Sequence, residues 1–367
     1  MIIINGRFLG TPQPTGTHRA SRGLLKSMRP YLQDFCVYGR NTLTEHELSE
    51  LDLTRHYEVK NPLRLSNHLW EQLSFPFFQR SQARFSLMGS APASFNTKRS
   101  IMVVHDINFE LVRESFGLPF RLLYKFVLLH AARKCRHIFA ISEYTKQQLI
   151  NRGIEADKIS VYYQGPGIDP ALLSSPQPRP AIVEDLAKSY ILCVGSLQPH
   201  KNLRGVLDMY SRLRKKRDDV DLVVVGRPQK NFNKIEIEQW ELEQPGIHLT
   251  GYVSDEELVG LYQHAALFLF PSFEEGFGLP VVESFYAGCP VVTSKASCLP
   301  EIAGDAALLV DPKDPVEMLG AVESVIDSKQ LSEELVAKGE QRSKLFQWDL
   351  AGKQVASKLH ELEEACQ

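Results

Sequence analysis

The sequence predicts an α/β fold with two doubly wound domains, and three observations lead to that prediction. The chain has 367 residues, which is more than one hydrophobic core usually supports. Short apolar runs of strand length alternate with helical spacing of apolar residues along both halves. Between the halves, residues 164–180 include five prolines and two glycines, a composition typical of a linker. We therefore predict domains at residues 1–168 and 169–345, followed by a terminal helix in residues 346–367.

The first half opens with a predicted strand at residues 2–4, a loop at 5–17 that is rich in glycine and proline, and a helix. In doubly wound domains such loops lie at the carboxyl ends of strands, where ligands bind. Gly16 in this loop is therefore a candidate for close backbone approach to a phosphate. A purely structural glycine is the equal alternative, because no Gly-x-Gly-x-x-Gly pattern accompanies it.

His105 and Asp106 directly follow a buried strand predicted at residues 101–104. The carboxyl end of such a strand is where the doubly wound arrangement places functional groups. We favour a functional role for His105, although a lone histidine is more often structural. The remaining elements predicted here are strands at 85–88, 138–141 and 159–163, and helices at 69–78, 118–134 and 142–152.

In the second half, Lys201 follows a strand and the glycine turn at Gly195, and it precedes a helix predicted at 203–214. This position suits a point charge that reaches a diphosphate. Asp219 and Asp221 form an Asp-x-Asp pattern, but they lie on the far side from the glycine turns, and we expect them to be solvated. Strands are predicted at 190–194, 222–225, 248–250, 267–270, 291–293 and 307–310.

Residues 272–285 are the strongest candidate for a binding site. Two glycines, Gly276 and Gly278, permit close backbone approach to a ligand, and Pro280 suits the first turn of a helix. Amides at a helix N-terminus favour an anion or a row of hydroxyls, and Glu275 and Glu283 flank the turn. A plain connection from strand to helix with solvated acids is the alternative for the turn by itself.

Charge is distributed unequally along the chain. Residues 1–180 contain 23 Lys and Arg against 14 Asp and Glu, whereas residues 181–367 contain 19 against 30. The basic half indicates an anionic partner, either a phosphate-bearing acceptor or an acidic membrane surface, and ordinary surface charge is the alternative. The apolar helix 118–134 with its basic residues fits a membrane surface or, more simply, a buried helix with a basic end. We expect no nucleic-acid partner.

The six cysteines are scattered, without a Cys-x-x-Cys pair or a histidine at metal-ligand spacing, which predicts reduced thiols. No apolar run reaches the roughly 18 residues that span a bilayer. The apolar start of the chain also lacks the architecture of a signal peptide. We therefore expect a cytoplasmic protein.

With these pieces placed, the chain resembles the family 4 retaining glycosyltransferases, whose GT-B fold consists of two Rossmann-like domains facing across a cleft. The resemblance rests on the paired glutamates Glu275 and Glu283, separated by seven residues that include Gly276, Phe277, Gly278, Leu279 and Pro280. It extends over most of the chain. Further matching segments are 5–9 with Thr15 and Gly16, 105–109, 195–202, 251–258, 299–301 with Gly304, 311–312, and 346–348, which resembles the segment that crosses back to the first domain.

The resemblance implies a role for each matched residue. Glu283 would hold the ribose hydroxyls, and Glu275 would hold the donor sugar together with the amides of Phe277, Gly278 and Leu279. Lys201 would neutralise the diphosphate, Gly16 would approach it, Val253 would meet the base through its backbone, and His105 would face the anomeric centre. One departure is Ser196, which stands where this family often has arginine. Either Arg227 compensates, or binding rests on Lys201 and helix amides.

The predicted function is retaining transfer of a hexose, mannose or a deoxyhexose, from a GDP sugar to a lipid-linked glycan in bacterial surface-polysaccharide synthesis. In this prediction the acceptor lies on the side of the first domain, and the second domain binds the nucleotide sugar. We expect no cofactor and no metal, with peripheral association at the cytoplasmic face of the inner membrane. The alternatives are a UDP- or dTDP-sugar-dependent transferase and a non-catalytic sugar-nucleotide-binding module. A phosphorylase of similar architecture would need a lysine that binds pyridoxal, and nothing in this sequence indicates one. A dehydrogenase is disfavoured because this sequence lacks the Gly-x-Gly-x-x-Gly pattern.

Overall fold

The computed structural model divides the chain into two compact units. One unit comprises Met1–Gly167 and Phe346–Gln367, and the other comprises Ile168–Leu345, so the division lies one residue from the predicted boundary at 168. The residues that the structure describes are 1–11, 15–61, 65, 67–75, 83–88, 99–112, 118–184, 186, 189–226 and 245–364. Within the described helices, residues 67, 68, 109, 118–121 and 123 are described by their backbone.

The first unit has a parallel sheet of seven strands among its described residues, in the order β3-β2-β1-β4-β5-β6-β7. The strand β1 lies between β2 and β4, with Ile3 opposite Cys36 and Arg84. The strands are β1 (Ile2–Asn5), β2 (Phe35–Gly39), β3 (Tyr57–Val59), β4 (Ala83–Ser86), β5 (Ser100–Val104), β6 (His137–Ala140) and β7 (Ile159–Val161). The helices are Gly16–Met28, Glu45–Glu50, Asn67–Leu73, Asn108–Leu111, Leu118–Lys134, Glu143–Ile150 and Trp348–Glu364, with 3-10 turns at Arg29–Tyr31 and Ala156–Lys158.

The second unit has a parallel sheet of six strands in its described part, in the order β10-β9-β8-β11-β12-β13. The strands are β8 (Ser189–Val194), β9 (Val220–Val225), β10 (Ile247–Gly251), β11 (Leu267–Phe270), β12 (Val291–Ser294) and β13 (Ala307–Val310). The helices are Pro170–Ser174, Leu203–Arg214, Asp255–His264, Leu279–Tyr286, Leu299–Ala303, Pro315–Asp327 and Lys329–Ser343, with 3-10 turns at Ala181–Val183 and Pro199–Lys201.

Both sheets follow the strand order 3-2-1-4-5-6 of the Rossmann fold when strands are counted within each unit, and the first unit adds a seventh strand. The predicted fold class of two Rossmann-like α/β domains is therefore confirmed. In such sheets ligands bind outside the carboxyl ends of the strands, at the point where the strand order reverses. This switch point lies between β1 and β4 in the first unit and between β8 and β11 in the second.

The terminal helix Trp348–Glu364 packs against the helix Gly16–Met28, where two glycines make room for it. A Cβ atom at Gly23 would lie 2.4 Å from the Trp348 ring, and a Cβ atom at Gly352 would lie 2.3 Å from the backbone carbon of Ser27. The Trp348 indole N–H donates to the Pro166 carbonyl at 2.9 Å. The terminal helix is thus part of the first unit by close packing, and glycine is required on both sides of the contact.

Several element ends differ from the predictions. The strand predicted to reach residue 163 ends at Val161, and the helix predicted at 69–78 spans Asn67–Leu73, with residues 76–78 outside the described part of the chain. The predicted N-cap Ser142 is confirmed, because its side chain accepts a hydrogen bond from the Thr145 amide at 3.1 Å.

Among the described helices, none has both the length and the apolar content that crossing a bilayer requires.

Candidate active site

The candidate site of the second unit lies at its switch point, where the segments that follow β8 and β11 come together. A pocket there is lined by Gly195, Ser196 and Lys201 from the segment after β8 and by Phe270 at the end of β11. Gly195 has a φ of 154° and its amide donates to the Val225 carbonyl at 2.9 Å. The sequence-predicted residues Gly195, Ser196 and Lys201 therefore share one pocket.

Asn202 fixes the position of Lys201. Its backbone has a left-handed φ of 59°, and its side-chain oxygen accepts from the Gly205 amide at 3.2 Å to cap the following helix. Its amide nitrogen donates to the carbonyls of Pro271 at 3.2 Å and Pro312 at 2.6 Å. One buried side chain thereby ties together the segments that follow β8, β11 and β13.

Lys201 and Glu275 form an ion pair at the centre of the site. The Lys201 Nζ atom lies 2.5 Å from Glu275 Oε1, and the two side chains are 20% and 11% exposed. The same ammonium lies 5.0 Å from the centroid of the Phe270 ring. The Phe273 amide donates to the His200 carbonyl at 2.8 Å and holds the two loops side by side. Two residues that are 74 positions apart in sequence thus neutralise each other's charge in a partly dry environment.

The glycine turn has the conformation that its sequence predicts. Gly278 is the N-cap of the helix Leu279–Tyr286 with a φ of 93°, and Pro280 lies in the first helical turn. A Cβ atom at Gly278 would lie 2.8 Å from the end of the Leu299 side chain, and the positive φ angle is what favours glycine here. Phe277 is buried. The helix, and with it the positive end of its dipole, therefore begins four residues after Glu275 in the chain.

Glu283 is buried one turn into the same helix and contacts Tyr262. The Tyr262 hydroxyl donates to Glu283 Oε2 at 3.4 Å. Burial, and secondly the charge of Glu283, hold the pKa of the Tyr262 phenol far above its usual value, so the phenol stays protonated and remains a donor. Tyr262 orients a carboxylate that the sequence singled out, although Tyr262 itself was not predicted.

Ser297 is a second residue that sequence reasoning missed. Its backbone has a left-handed φ of 56°, which is unfavourable for a residue with a side chain, and its Oγ atom accepts from the Glu275 amide at 3.2 Å. The only available sequence signal was its position between β12 and the helix Leu299–Ala303, at another carboxyl strand end. The strained serine positions the backbone of Glu275.

We expect Ser297→Ala to lower kcat/KM by about tenfold, because it removes the acceptor that holds the Glu275 amide. Ser297→Gly should lower kcat/KM equally while relieving about 1 kcal/mol of backbone strain. Steady-state kinetics and urea unfolding would measure both quantities. Ser324→Ala, on an exposed helix face, is the matched control and should leave kcat/KM unchanged. Normal kcat/KM in both Ser297 variants would contradict the positioning role.

The ends of β8, β9 and β10 form the other side of the second unit's site. The Gly226 amide donates to the Gly251 carbonyl at 2.9 Å, and a Cβ atom at Gly226 would lie 1.8 Å from the Gly195 carbonyl oxygen. Val253, predicted to meet a base through its backbone, is buried just after β10. Arg227, proposed to compensate for Ser196, lies outside the described residues.

His105 of the first unit lies at the end of β5, as predicted, and its tautomer is fixed by a backbone contact. The ring atom Nε2 lies 2.7 Å from the Leu87 carbonyl oxygen, which can only accept, so Nε2 carries the hydrogen and Nδ1 carries a lone pair. Burial lowers the pKa of His105 to about 4, against a smaller raising effect of the Leu87 carbonyl. The imidazole is therefore neutral near pH 7 and can accept a hydrogen bond at Nδ1.

Gly16 is the first residue of the helix Gly16–Met28 and is exposed. The Thr15 amide donates to His18 Nδ1 at 3.3 Å. Burial, and secondly the nearby Arg7 guanidinium, lower the pKa of His18. In the segment between β1 and this helix, Arg7 Nη1 lies 3.1 Å from the fully buried Glu71 carboxylate, which also accepts from Asn5 at 2.7 Å. The loop that carries Gly16 thus follows a segment fixed by a buried ion pair.

One interpretation of the sequence is wrong. Asp221 was expected to be solvated with Asp219, but it is a buried residue of β9, and His248 Nε2 lies 3.2 Å from its Oδ2 atom. Asp219 instead binds Arg217 at 2.7 Å on the surface. All six residues of β9 are buried, which the polarity of the sequence around Asp221 did not indicate. No cluster of three or more His, Cys, Asp or Glu side chains suited to a metal occurs in the described part of the chain.

The chain is similar to known glycosyltransferases in sequence. Residues 175–342 match the family described as glycosyl transferases group 1. The O-antigen chain mannosyltransferase B of Escherichia coli is 30% identical over 262 residues, which cover 69% of this chain and 68% of that protein. The O-antigen chain mannosyltransferase RfbU of Salmonella typhimurium is 26% identical over 234 residues, or 62% of this chain and 61% of that protein.

Solved structures resemble the whole chain at lower sequence identity, and they bear on the fold alone. Anabaena HepE, in complex with UDP and glucose, has a TM-score of 0.74 at 18% identity and covers 98% of this chain and 99% of its own. WaaG, a glycosyltransferase involved in lipopolysaccharide biosynthesis, has a TM-score of 0.70 at 15% identity and covers 97% and 98%. Taken with the paired glutamates and the two Rossmann-like units, these similarities establish that the chain belongs to the group 1 glycosyl transferases and is a glycosyltransferase of GT-B fold.

Proposed function

We propose that the protein transfers mannose, or a related deoxyhexose, from a GDP sugar to a lipid-linked glycan in the synthesis of a bacterial surface polysaccharide, with retention of the anomeric configuration. The observation that carries the proposal is the Lys201–Glu275 pair at 2.5 Å beside the start of the helix Leu279–Tyr286. A diphosphate needs a cation and helix amides, and a sugar needs a hydrogen-bond acceptor. The names of the relatives, O-antigen mannosyltransferases, support the choice of sugar and product.

The proposed roles follow from the charges at the site. Departure of the nucleotide leaves growing negative charge on its diphosphate, which Lys201 and the amides at the helix start would stabilise. Glu275 would accept hydrogen bonds from the sugar, and Glu283, oriented by Tyr262, would accept them from the ribose. Donor binding must therefore exchange the Lys201–Glu275 contact for contacts to the ligand. In this scheme the positive charge that stabilises the departing diphosphate comes from Lys201 and the helix amides.

His105 has a narrower role in the proposal than a general base. The neutral ring already donates through Nε2 to Leu87, and its low pKa makes Nδ1 a weak proton acceptor but a good hydrogen-bond acceptor. Assigned to the anomeric centre by family pattern, it would orient a hydroxyl. The acceptor proton would go to the departing phosphate on the same face of the sugar, which is consistent with retention.

A panel of donors tests the proposal. We expect nucleotide release and glycan extension with GDP-mannose or a GDP-deoxyhexose and a lipid-linked acceptor, with NMR of the product giving the retained anomer. UDP and dTDP sugars are the comparison. Turnover with UDP sugars alone would contradict the donor assignment. A protein that releases no nucleotide from any donor would instead be a binding module.

We also expect the transfer rate to be unchanged by a chelator. The reason is that the Lys201 ammonium and the helix amides supply the positive charge that a divalent ion would supply. Initial rates with and without EDTA, after dialysis against it, measure this. Complete loss of activity with EDTA and recovery with Mg²⁺ or Mn²⁺ would contradict the metal-free scheme.

A further inference from the structure

Three neighbouring strands of the first unit, β1, β2 and β3, each lead directly into a cation. Arg7 follows β1, Arg40 follows β2 and Lys60 follows β3, each within two residues of the strand end. Because the three strands are parallel neighbours in one sheet, their carboxyl ends meet at the same edge, where doubly wound sheets bind ligands. The charges at this edge therefore indicate which kind of ligand it suits.

Two of these cations are neutralised by the protein, and the third is not. Arg7 Nη1 lies 3.1 Å from Glu71 Oε2, and Lys60 Nζ lies 2.7 Å from Glu58 Oε2. Arg40 is half-buried, forms no ion pair with any described residue, and its buried Nε atom finds no hydrogen-bond acceptor among those residues. A buried donor of a charged group is costly without an acceptor, so this guanidinium is suited to an anion that comes from outside the chain.

Glu47 shares the surroundings of Arg40 but is engaged by its own helix. Burial first, and the charge of Glu47 second, raise the pKa of Tyr57 to about 12, and the charge of Arg40 acts on the same phenol in the opposite direction. Glu47 Oε2 accepts from the Thr44 amide and from the Thr44 hydroxyl, at 3.0 Å each, and so completes the cap of its helix. The charge of Arg40 therefore has no direct counterion in the described part of the chain.

The turn that carries Arg40, residues 39–41, is held in place from both sides, and we call it the anion turn. The Tyr57 hydroxyl donates to the Asn41 carbonyl, and a Cβ atom at Gly39 would lie 1.7 Å from that hydroxyl. On the other side the Asn41 side chain lies against Gly10, where the φ is 67° and a Cβ atom would lie 3.5 Å from Asn41 Nδ2. The Asn41 amide is thus a second donor group, next in the chain to the guanidinium, on a turn with a fixed backbone.

We propose that the anion turn binds a phosphate group of the acceptor substrate. The Arg40 guanidinium matches two oxygens of one phosphate with a pair of parallel N–H donors, and the Asn41 amide adds a donor for a third oxygen. Lys201 is assigned to the donor diphosphate in the second unit, so each phosphate-bearing substrate has its own cation. The inference rests on the proposed function in one respect, because the group that joins glycan to lipid in such an acceptor is a phosphate ester.

Calorimetry with inorganic pyrophosphate tests the anion turn without donor or acceptor, so its outcome does not depend on the transfer reaction. The full chain is expected to bind two pyrophosphate ions, one in each unit. Arg40→Gln should weaken one site at least about tenfold, and Lys201→Met should weaken the other equally. Arg40→Lys should recover part of the loss, because it restores the charge but not the planar fork. A single site that Lys201→Met removes, or two intact sites in Arg40→Gln, would overturn the proposal.

Two acceptors then identify the source of the phosphate. The same glycan is presented on a lipid phosphate and on an uncharged octyl group, with whichever nucleotide sugar turns over. The parent should favour the phosphate-linked acceptor in kcat/KM at least about tenfold, and Arg40→Gln should bring that ratio close to one through a change in KM. An unchanged ratio in Arg40→Gln would assign the anion turn to a free phosphate compound and overturn the acceptor assignment.

The matched control is Arg22→Gln. Arg22 belongs to the same unit and pairs with Glu50 at 2.9 Å, with 25% of its side chain exposed. This variant should keep both pyrophosphate sites and the acceptor ratio of the parent. Circular dichroism should give the same melting curve for Arg40→Gln as for the parent, because Arg40 holds no other described residue through a polar contact. Weaker pyrophosphate binding in Arg22→Gln as well would show a general effect of charge and overturn the site.

Discussion

Glu275→Gln is expected to reduce sugar transfer by about 100-fold to 1,000-fold while the second unit stays folded. The substitution keeps the shape of the side chain but removes the negative charge that meets Lys201 at 2.5 Å and that we assign to the sugar hydroxyls. Because the loss concerns contacts to the reacting sugar, kcat should fall more than KM rises. Initial rates with the preferred donor, together with thermal unfolding, measure the two effects.

The control uses a second lysine–glutamate pair. Lys216 Nζ lies 2.9 Å from Glu323 Oε1 on the exposed surface of the same unit, and Glu323→Gln should leave the transfer rate unchanged. Combining Glu275→Gln with Lys201→Met should cost less than the sum of the single changes, because the two side chains contact each other directly. Turnover of Glu275→Gln close to that of the parent would remove Glu275 from the site.

Gly226→Ala is expected to destabilise the second unit by about 3 kcal/mol or more. The added Cβ atom would lie 1.8 Å from the Gly195 carbonyl oxygen, and the backbone has a φ of 155° that a residue with a side chain rarely adopts. The clash is with backbone, so relief requires the segment Gly195–Lys201 to move. Urea unfolding followed by circular dichroism measures the free energy of unfolding. Titration with the donor measures its affinity, which reports whether the pocket has been displaced.

Gly320→Ala is the matched control for Gly226→Ala. Gly320 lies within the helix Pro315–Asp327 of the same unit, and a Cβ atom there meets open space. Alanine in a helix interior should raise the stability by about 0.5 to 1 kcal/mol. If Gly226→Ala unfolds at the same urea concentration as the parent, the close approach of Gly226 to Gly195 is not a constraint on the fold.

The fold was predictable from sequence because its signals are local. Buried parallel strands such as Leu267–Phe270 are short apolar runs, and the turn at Gly278 and Pro280 is encoded within a few residues. Placing Lys201 and Glu275 at neighbouring strand ends follows from the doubly wound order. Their direct contact at 2.5 Å does not follow, since it depends on side-chain geometry between segments 74 positions apart.

Two supporting residues of the site were not predictable for the same physical reason. Ser297 and Tyr262 act through long-range hydrogen bonds, and Ser297 also has a left-handed backbone conformation that serine seldom adopts. Nothing in the neighbouring sequence distinguishes them from surface polar residues. Asp221 illustrates the converse, because an apparently solvated acid is buried by its place in a central strand.

The Lys201–Glu275 pair also bears on what happens after transfer. In the proposed scheme, Glu275 would lose its partner in the ligand once the sugar has left, while a nucleoside diphosphate would still contact Lys201. The carboxylate, which lies 2.5 Å from the ammonium in this structure, would then compete with the diphosphate for it from within the protein and at high effective concentration. The pair would thus speed the departure of the spent nucleotide. By that reasoning Glu275→Gln should hold the nucleoside diphosphate more tightly than the parent, and equal or weaker affinity by calorimetry would contradict a role for the pair in clearing the site.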